Sequence, residues 1–302
     1  MRLKVLIGHI SNLISHIYPF NTKKMTTMTI TAADINKFRQ MTGAGMMDCK
    51  KALTEANGDF EKAIDELRKK GQKVAANRGD RESKEGVVLA KVTADNKRGV
   101  VLAVNCETDF VAINADFIKM TSTILDIAIQ NNTKTADELK ALPFDSKISV
   151  AEKLIEQTGV IGEKIELTKF EVIEAPFIYA YIHPGNKLAN VVGFSSATVN
   201  ADVAKDVSMQ VAAMAPVAVD KGDVDAETIK REIEVGKEQA RAEGKPEEML
   251  EKIAMGKLNK FYKESTLLNQ EFIKDNKKTI AQYLNESEKG LTVTSFKRIA
   301  LS

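Results

Sequence analysis

The stretch LAKVTADNKRGVVLAVNCET (residues 89–108) is followed ninety residues later by YAYIHPGNKLANVVGFSSAT (residues 179–198), which repeats its pattern. Each stretch contains an apolar run, an Asn-Lys pair and a second apolar run, an order that is typical of a β-hairpin. Each is followed by a helical pattern that begins with Asn-Ala-Asp, at Asn114 and at Asn200. The repeat predicts an α+β core of two subdomains, each an antiparallel hairpin with a helix on one face.

The two copies differ in the connection between the second strand and the helix. The strands are offset by 90 residues but the Asn-Ala-Asp segments by only 86, so the first copy has four more residues here. The additional residues lie within 109–113, and the second copy indicates that the fold can close without them. A core position for Phe110 is one interpretation. We favour a hydrophobic tip that contacts another molecule, because functional residues often lie on loops of a rigid scaffold.

The core is predicted to divide into an N-subdomain, residues 87–160, and a C-subdomain, residues 161–302. The alternating stretch KIELTKFEVIE (164–174) predicts a strand that extends the sheet of the second half. The other predicted elements are helices at 137–142, 150–157 and 279–286 and a closing strand at 291–301.

Residues 225–264 predict an antiparallel, coiled-coil-like helical hairpin that protrudes from the core. A narrow apolar stripe runs along both helices, and Gly244-Lys245-Pro246 forms the turn between them. The remaining faces are densely charged, so a solvated strut and a partner-binding arm are both consistent with the pattern.

A module of three short helices is predicted for residues 29–71. The first helix begins after Thr31, a predicted N-cap, and the third ends at Gly71. The polar stretch 72–86 follows and predicts a linker. Three helices of this length bury only a small core, so we expect an attached module rather than a free-standing protein.

Met46 and Met47 are adjacent at the start of the second of these helices. Adjacent residues on a helix point in different directions, so we expect one Met in the core and the other exposed to a partner. From the spacing alone, two half-buried side chains are an equally good interpretation. Cys49 is expected in the core, because no neighbouring residue in the sequence would activate its thiol.

Residues 1–28 differ from the rest of the chain, because the first acidic residue is Asp34. Their apolar run is too short and too polar to cross a membrane, and it has no signal-peptide cleavage site. We interpret this leader as a non-native start or a disordered segment, with translation expected to begin at Met25 or Met28.

Composition excludes several function classes. The net charge of +2, from 44 basic and 42 acidic residues, opposes direct nucleic-acid binding through a basic face. Two cysteines without a C-x-x-C pattern and three scattered histidines predict no disulfide framework, metal or cofactor site, and fit a reducing cytoplasm. No phosphate loop, nucleophile elbow or zinc-protease motif is present, so we expect a protein that is not an enzyme.

Four motifs together resemble the bacterial elongation factor Ts family. They are TGAGMMDCKKALTEANGDFEKAIDELRKKG (42–71), NCETDFVA (105–112), the Gly-Lys-Pro turn (244–246) and KIAMGKLNKF (252–261), and the resemblance covers residues 29–302. It implies a ubiquitin-associated-like N-terminal module and a guanine-nucleotide exchange factor for elongation factor Tu, which it would bind with GDP or without nucleotide.

The resemblance also implies the site residues. Thr108, Asp109, Phe110 and Val111 match the segment in which the family's Phe is wedged near the magnesium site of the GTPase. His183 matches a histidine that supports the wedge, although Pro184 stands where many members have Gly. Met46 and Met47 match the contact region of the small module.

Two other classes are weighed against this one. A ubiquitin-associated-like adaptor would bind partners without exchange activity and would not need the additional residues around Phe110. An enzyme with Cys106 and His183 as nucleophile and base would need a third, orienting group that the sequence does not reveal. Homodimerisation, the role of the helical hairpin, and the rate and affinity of exchange are left open.

Overall fold

The computed structural model describes residues 30–301, so the predicted leader lies outside the described residues. The chain divides into two compact units, the first ending at Glu66 and the second beginning at Leu67. Helices and small antiparallel sheets are both present, which confirms the predicted α+β class.

Three helices open the described chain: α1 (Ala32–Thr42), α2 (Met46–Glu55) and α3 (Phe60–Asn77). Thr31 caps α1 as predicted. Its hydroxyl accepts a hydrogen bond from the backbone N–H of Asp34, and the Asp34 carboxylate accepts one from the N–H of Thr31. Gly43 and Asn57 follow α1 and α2 in the left-handed conformation, with φ of 71° and 52°. The likeness of this module to a ubiquitin-associated domain stays a prediction.

The second unit continues α3 and adds the core elements. In chain order they are β1 (Glu85–Val92), β2 (Arg98–Cys106), α4 (Asp109–Ala112), α5 (Ala115–Gln130), α6 (Ala136–Ala141), α7 (Val150–Ile161), β3 (Glu166–Glu174), β4 (Phe177–Ile182), β5 (Leu188–Phe194), α8 (Ala201–Met214), α9 (Ala226–Ala242), α10 (Glu247–Ser265), β6 (Glu271–Phe272), β7 (Asp275–Thr279), α11 (Ile280–Ser287) and β8 (Val293–Ala300). Two three-stranded antiparallel sheets have the orders β1-β2-β3 and β4-β5-β8, and β6-β7 forms a small ribbon.

Both copies of the repeat use the same local devices. Asn96 and Asn186 turn the two hairpins in the left-handed conformation, with φ of 55° and 56°. Asn114 and Asn200 cap α5 and α8, and each amide oxygen accepts hydrogen bonds from two backbone N–H groups of the following helix. In each copy an antiparallel hairpin is followed by a helix, and the organisation of the core as two subdomains stays a prediction.

Strand β3 lies in the first sheet, so the prediction that it extends the second sheet is wrong. It pairs with β2, and Arg98 stands opposite Glu174 with its guanidinium 2.9 Å from the carboxylate. The reason is the burial of β2 along its whole length. A buried strand needs hydrogen-bonding partners on both edges, and β1 covers only one of them. The predicted subdomain ranges themselves stay predictions.

Helix α3 continues past Gly71 into the predicted linker, so the expected helix end at Gly71 is wrong. A Cβ added to Gly71 would lie 2.5 Å from the carbonyl oxygen of Ile155 in α7. A Cβ added to Gly159 would lie equally close, 2.5 Å, to the Cα of Gly71. Gly71 therefore permits the close approach of two helix backbones and is not a helix stop.

The two sheets share one buried cluster, which includes Val88 and Val101 of the first sheet and Val191 and Ile299 of the second. Helices α5 and α8 pack in separate clusters on the outer faces of the two sheets. The β2 strand is thus fixed by contacts on both faces, and this rigid base carries the segment that follows it.

Helices α9 and α10 form the predicted antiparallel hairpin. Gly236 allows close packing, because a Cβ added there would lie 3.2 Å from the Cα of Ala254. Ala240 of α9 and Leu250 of α10 are buried in the predicted stripe.

Candidate functional site

The residues that distinguish the first copy of the repeat form α4, a single helical turn directly after β2. The backbone N–H of Ala112 donates to the carbonyl oxygen of Thr108 at 3.3 Å, and that of Ile113 donates to Asp109 at 3.0 Å. Phe110 is 78% exposed. This exposure excludes the core position, and a contact with another molecule stays a prediction.

The four predicted residues of this segment have two kinds of surroundings. Asp109 and Phe110 are exposed, whereas Thr108 and Val111 are half-buried. Val111 packs against the core of the first sheet, next to the buried Ala112. The inner residues of the turn therefore anchor it, and the outer ones are available for contact.

Glu163, in the loop between α7 and β3, fixes the start of α4. Its carboxylate accepts hydrogen bonds from the backbone N–H groups of Glu107 and Thr108, both at 3.0 Å. It also accepts one from the Thr108 hydroxyl at 2.7 Å. Thr108 is the N-cap of α4 but makes no side-chain cap, because its hydroxyl is committed to Glu163. Three donors on one carboxylate leave this segment little freedom.

Glu107 faces inward and holds the same segment from the other side. Its carboxylate lies 2.7 Å from the guanidinium of Arg78 and 3.4 Å from that of Arg81. It also accepts the backbone N–H of Lys164 at 2.7 Å. Burial acts to raise the pKa of Glu107, but the Lys164 N–H and Arg78 outweigh it, so the pKa lies below its usual value. Of the two acidic residues that follow β2, Glu107 is structural and Asp109 is exposed.

Cys106 is fully buried at the end of β2, and its thiol lies 3.2 Å from the carbonyl oxygen of Thr108. Burial, with the nearby charges of Glu163 and Glu85, raises the pKa of Cys106 to about 12. A thiol with this pKa is protonated at neutral pH, and a protonated thiol is a poor nucleophile. The geometry therefore opposes the interpretation of Cys106 as a catalytic residue. Cys49 is also fully buried, as predicted, and burial raises its pKa.

His183 is exposed at the end of β4, and its Nδ1 lies 3.0 Å from the hydroxyl of Tyr181. The turn that follows carries Lys187, whose ammonium lies 2.8 Å from the carboxylate of Glu85 at the start of β1. The Glu85 carboxylate raises the pKa of Lys187, and the charge of Asp109 raises it further. The turn after His183 and the α4 segment therefore lie at the same end of the second unit.

Met46 and Met47 both lie in the first turn of α2, in the first unit. Met46 is 52% exposed and Met47 is 76% exposed. The expectation that one of them is packed in the core is wrong, and Met47 is too exposed for the alternative of two half-buried side chains. The reason is their place at the start of the helix, where the apolar stripe begins only at Cys49.

Sequence reasoning did not find Glu163, and it assigned no role to Glu107. Glu163 is 55 residues from Thr108 along the chain, and no local pattern connects the two. The sequence offered one indication of such a partner. The backbone N–H groups that follow the buried strand β2 need hydrogen-bond acceptors.

The part of the chain that the structure describes contains no group of three or more His, Cys, Asp or Glu residues arranged to hold a metal ion. Within residues 30–301, no helix combines the length and the apolar character that a membrane span requires.

Comparisons with known proteins agree with these motifs. The family model described as Elongation factor TS matches residues 107–302. Similar proteins named Elongation factor Ts include that of Flavobacterium psychrophilum, which is 55% identical over 274 residues, 90% of this chain and 99% of the relative. That of Christiangramia forsetii is 56% identical over 274 residues, 90% of this chain and 98% of the relative. That of Cytophaga hutchinsonii is 54% identical over 276 residues, 91% of this chain and 99% of the relative. The chain therefore belongs to the elongation factor Ts family of translation elongation factors.

Proposed function

We propose that this protein is a guanine-nucleotide exchange factor for elongation factor Tu. It binds the GDP-bound GTPase, inserts Phe110 near the magnesium site and thereby promotes release of GDP. The observation that carries the proposal is the exposed Phe110 on a helical turn that the second copy of the repeat lacks.

The physical basis of binding is that Phe110 is exposed in the free protein and becomes buried only in the complex. Moving a Phe side chain from water to an apolar site is worth about 1.5–3 kcal/mol. The fixed base of α4 means that little conformational entropy is lost when the side chain is inserted. Because of both features, part of the free energy of binding is available to distort the partner.

Exchange then follows from reciprocal coupling. Magnesium bridges the nucleotide phosphates and neutralises much of their charge. A protein that binds better when the magnesium site is distorted weakens GDP by the same factor by which GDP weakens it. This mechanism requires a rigid wedge and a large interface, and it requires no acid, base or nucleophile on the exchange factor.

The other predicted residues fit supporting roles in the same proposal. His183 lies at the same end of the second unit as α4, as the ion pair of Lys187 with Glu85 indicates, since Glu85 pairs with Cys106 just before α4. Met46 and Met47 offer flexible apolar side chains to the GTPase domain, which suits a contact surface.

The test follows release of fluorescent GDP from the cognate elongation factor Tu, with wild type and with Phe110→Ala. Wild type is expected to accelerate release strongly, and the variant is expected to lose most of this effect. Val217→Ala, at a position that is 60% exposed on the loop after α8, is the matched control and should behave as wild type. Wild type that leaves GDP release unchanged contradicts the proposal.

A ubiquitin-associated-like adaptor is the second candidate, favoured by the exposed methionines of α2. An adaptor would bind its partner through α2, and Phe110→Ala would leave that binding unchanged. Binding to elongation factor Tu measured with Phe110→Ala and with Met47→Ala therefore separates the two functions.

A further inference from the structure

We infer that Ile113 is a second hydrophobic anchor for the same GTPase, beside Phe110. The inference rests on the proposed function and adds a residue to its contact surface. Ile113 is 73% exposed at the end of α4, and it lies outside the Thr108–Val111 segment to which the wedge is assigned.

The second copy of the repeat shows where such a residue packs when it serves the fold. Ile113 immediately precedes Asn114, the N-cap of α5, and Val199 immediately precedes Asn200, the N-cap of α8. Val199 is half-buried and packs against the core of the second sheet. An apolar residue before an N-cap commonly packs onto the first turn of its helix. Ile113 departs from this arrangement, because α4 turns it away from the core.

The core of the first sheet does not need Ile113, because two neighbours take its place. Ala112 is buried and Val111 packs against the core from within the same turn. Single exposed apolar residues are common on protein surfaces and carry no meaning alone. Ile113 differs from these, since an equivalent position in the same chain is packed.

The backbone places Ile113 on the same side of the turn as Phe110. Ile113 has helical dihedral angles, φ −86° and ψ −5°, and its N–H closes a hydrogen bond to Asp109. Residues three apart on a helix are neighbours on its surface. Phe110 and Ile113 therefore form a two-residue apolar tip on a rigid base, and this tip fits an apolar surface of the GTPase next to the site that receives Phe110.

The test measures the affinity of nucleotide-free elongation factor Tu for wild type, Ile113→Ala, Ile113→Thr and the control Val217→Ala, together with GDP release. Ile113→Ala removes three carbon atoms from the contact, and we expect about tenfold weaker binding. Ile113→Thr keeps the β-branch but replaces the ethyl group by a hydroxyl, and it should weaken binding to a similar extent. All variants should keep the unfolding midpoint of wild type, because both positions are exposed.

The outcomes separate this inference from the proposed function. Affinity within twofold of wild type for both Ile113 variants, with exchange lost in Phe110→Ala, overturns the anchor role of Ile113 and leaves the exchange factor in place. Wild type that neither binds elongation factor Tu nor releases GDP overturns both. Weaker binding in both Ile113 variants and none in Val217→Ala supports the second anchor.

Discussion

Substitution of Glu163 by Ala is expected to impair exchange although Glu163 lies behind the proposed contact surface. The Glu163 carboxylate accepts three hydrogen bonds at the start of α4, two from backbone N–H groups and one from the Thr108 hydroxyl. Without these bonds the turn that carries Phe110 loses its fixed position. Phe110 itself is unchanged, so any loss of exchange activity measures how firmly α4 is held in place.

The expected magnitude follows from these three bonds. A hydrogen bond to a charged group contributes about 1.5–3 kcal/mol, and competition with water at this half-buried site reduces each to about 1 kcal/mol. Three bonds give roughly 3 kcal/mol, which corresponds to a factor of about 100. Apparent affinity falls with the population of the binding-competent state. We therefore expect the exchange efficiency to fall about 10- to 100-fold.

The assay is fluorescent GDP release from elongation factor Tu in a double-mutant cycle with Phe110→Ala. Because Glu163 is proposed to act through Phe110, Glu163→Ala should cost little once Phe110 is absent. Glu171→Ala is the matched control, since Glu171 pairs with Lys297 at 3.0 Å on β3 and does not contact α4. An equal loss from Glu163→Ala in both backgrounds refutes the positioning role.

Three further outcomes are expected. Gly71→Ala should lower the free energy of unfolding by about 1–3 kcal/mol in urea titrations, because its Cβ would meet a carbonyl oxygen at 2.5 Å. Gly256→Ala is the control, because a Cβ added at this position in α10 would have no neighbour within 4 Å, and it should be neutral or stabilising by up to about 1 kcal/mol. A Gly256→Ala variant that is less stable than Gly71→Ala contradicts the packing described for Gly71. At neutral pH a thiol reagent should modify neither Cys49 nor Cys106 until the protein unfolds, since both are buried, and rapid labelling of the native protein would oppose this. Because the pKa of Glu107 is lowered in the folded state, its ionised carboxylate stabilises that state at pH values above the unfolded-state pKa of about 4.3. This stabilisation is lost as the pH falls through the folded-state pKa. Acid titrations of unfolding free energy should therefore be flatter in Glu107→Gln than in wild type.

The elements that could be predicted are those specified by neighbouring residues. Asn114 and Asn200 cap helices within three residues, and Asn96 and Asn186 form turns through their own backbone angles. The additional residues around Phe110 could be found because the repeat supplies an internal reference. Comparison of two copies identifies a departure without any knowledge of the fold.

The features that could not be predicted depend on partners far along the chain. From the sequence alone Gly71 predicts the end of a helix, because the contact with Gly159 is visible only in the folded chain. The place of β3 depends on which edge of β2 is free, and alternation of apolar residues carries no information on this point. The three bonds of Glu163 join loops 55 residues apart.

The contact between Gly71 and Gly159 has a consequence for dividing the chain. A fragment that begins at residue 72, where the sequence places the linker, would cut α3 in its middle and remove the backbone that covers Gly159. The backbone of α7 around Gly159 would then be uncovered, and such a fragment should be prone to self-association. A fragment that begins at Leu67 would keep this helix pair, so the helical module and the core are better separated within α3 than after it.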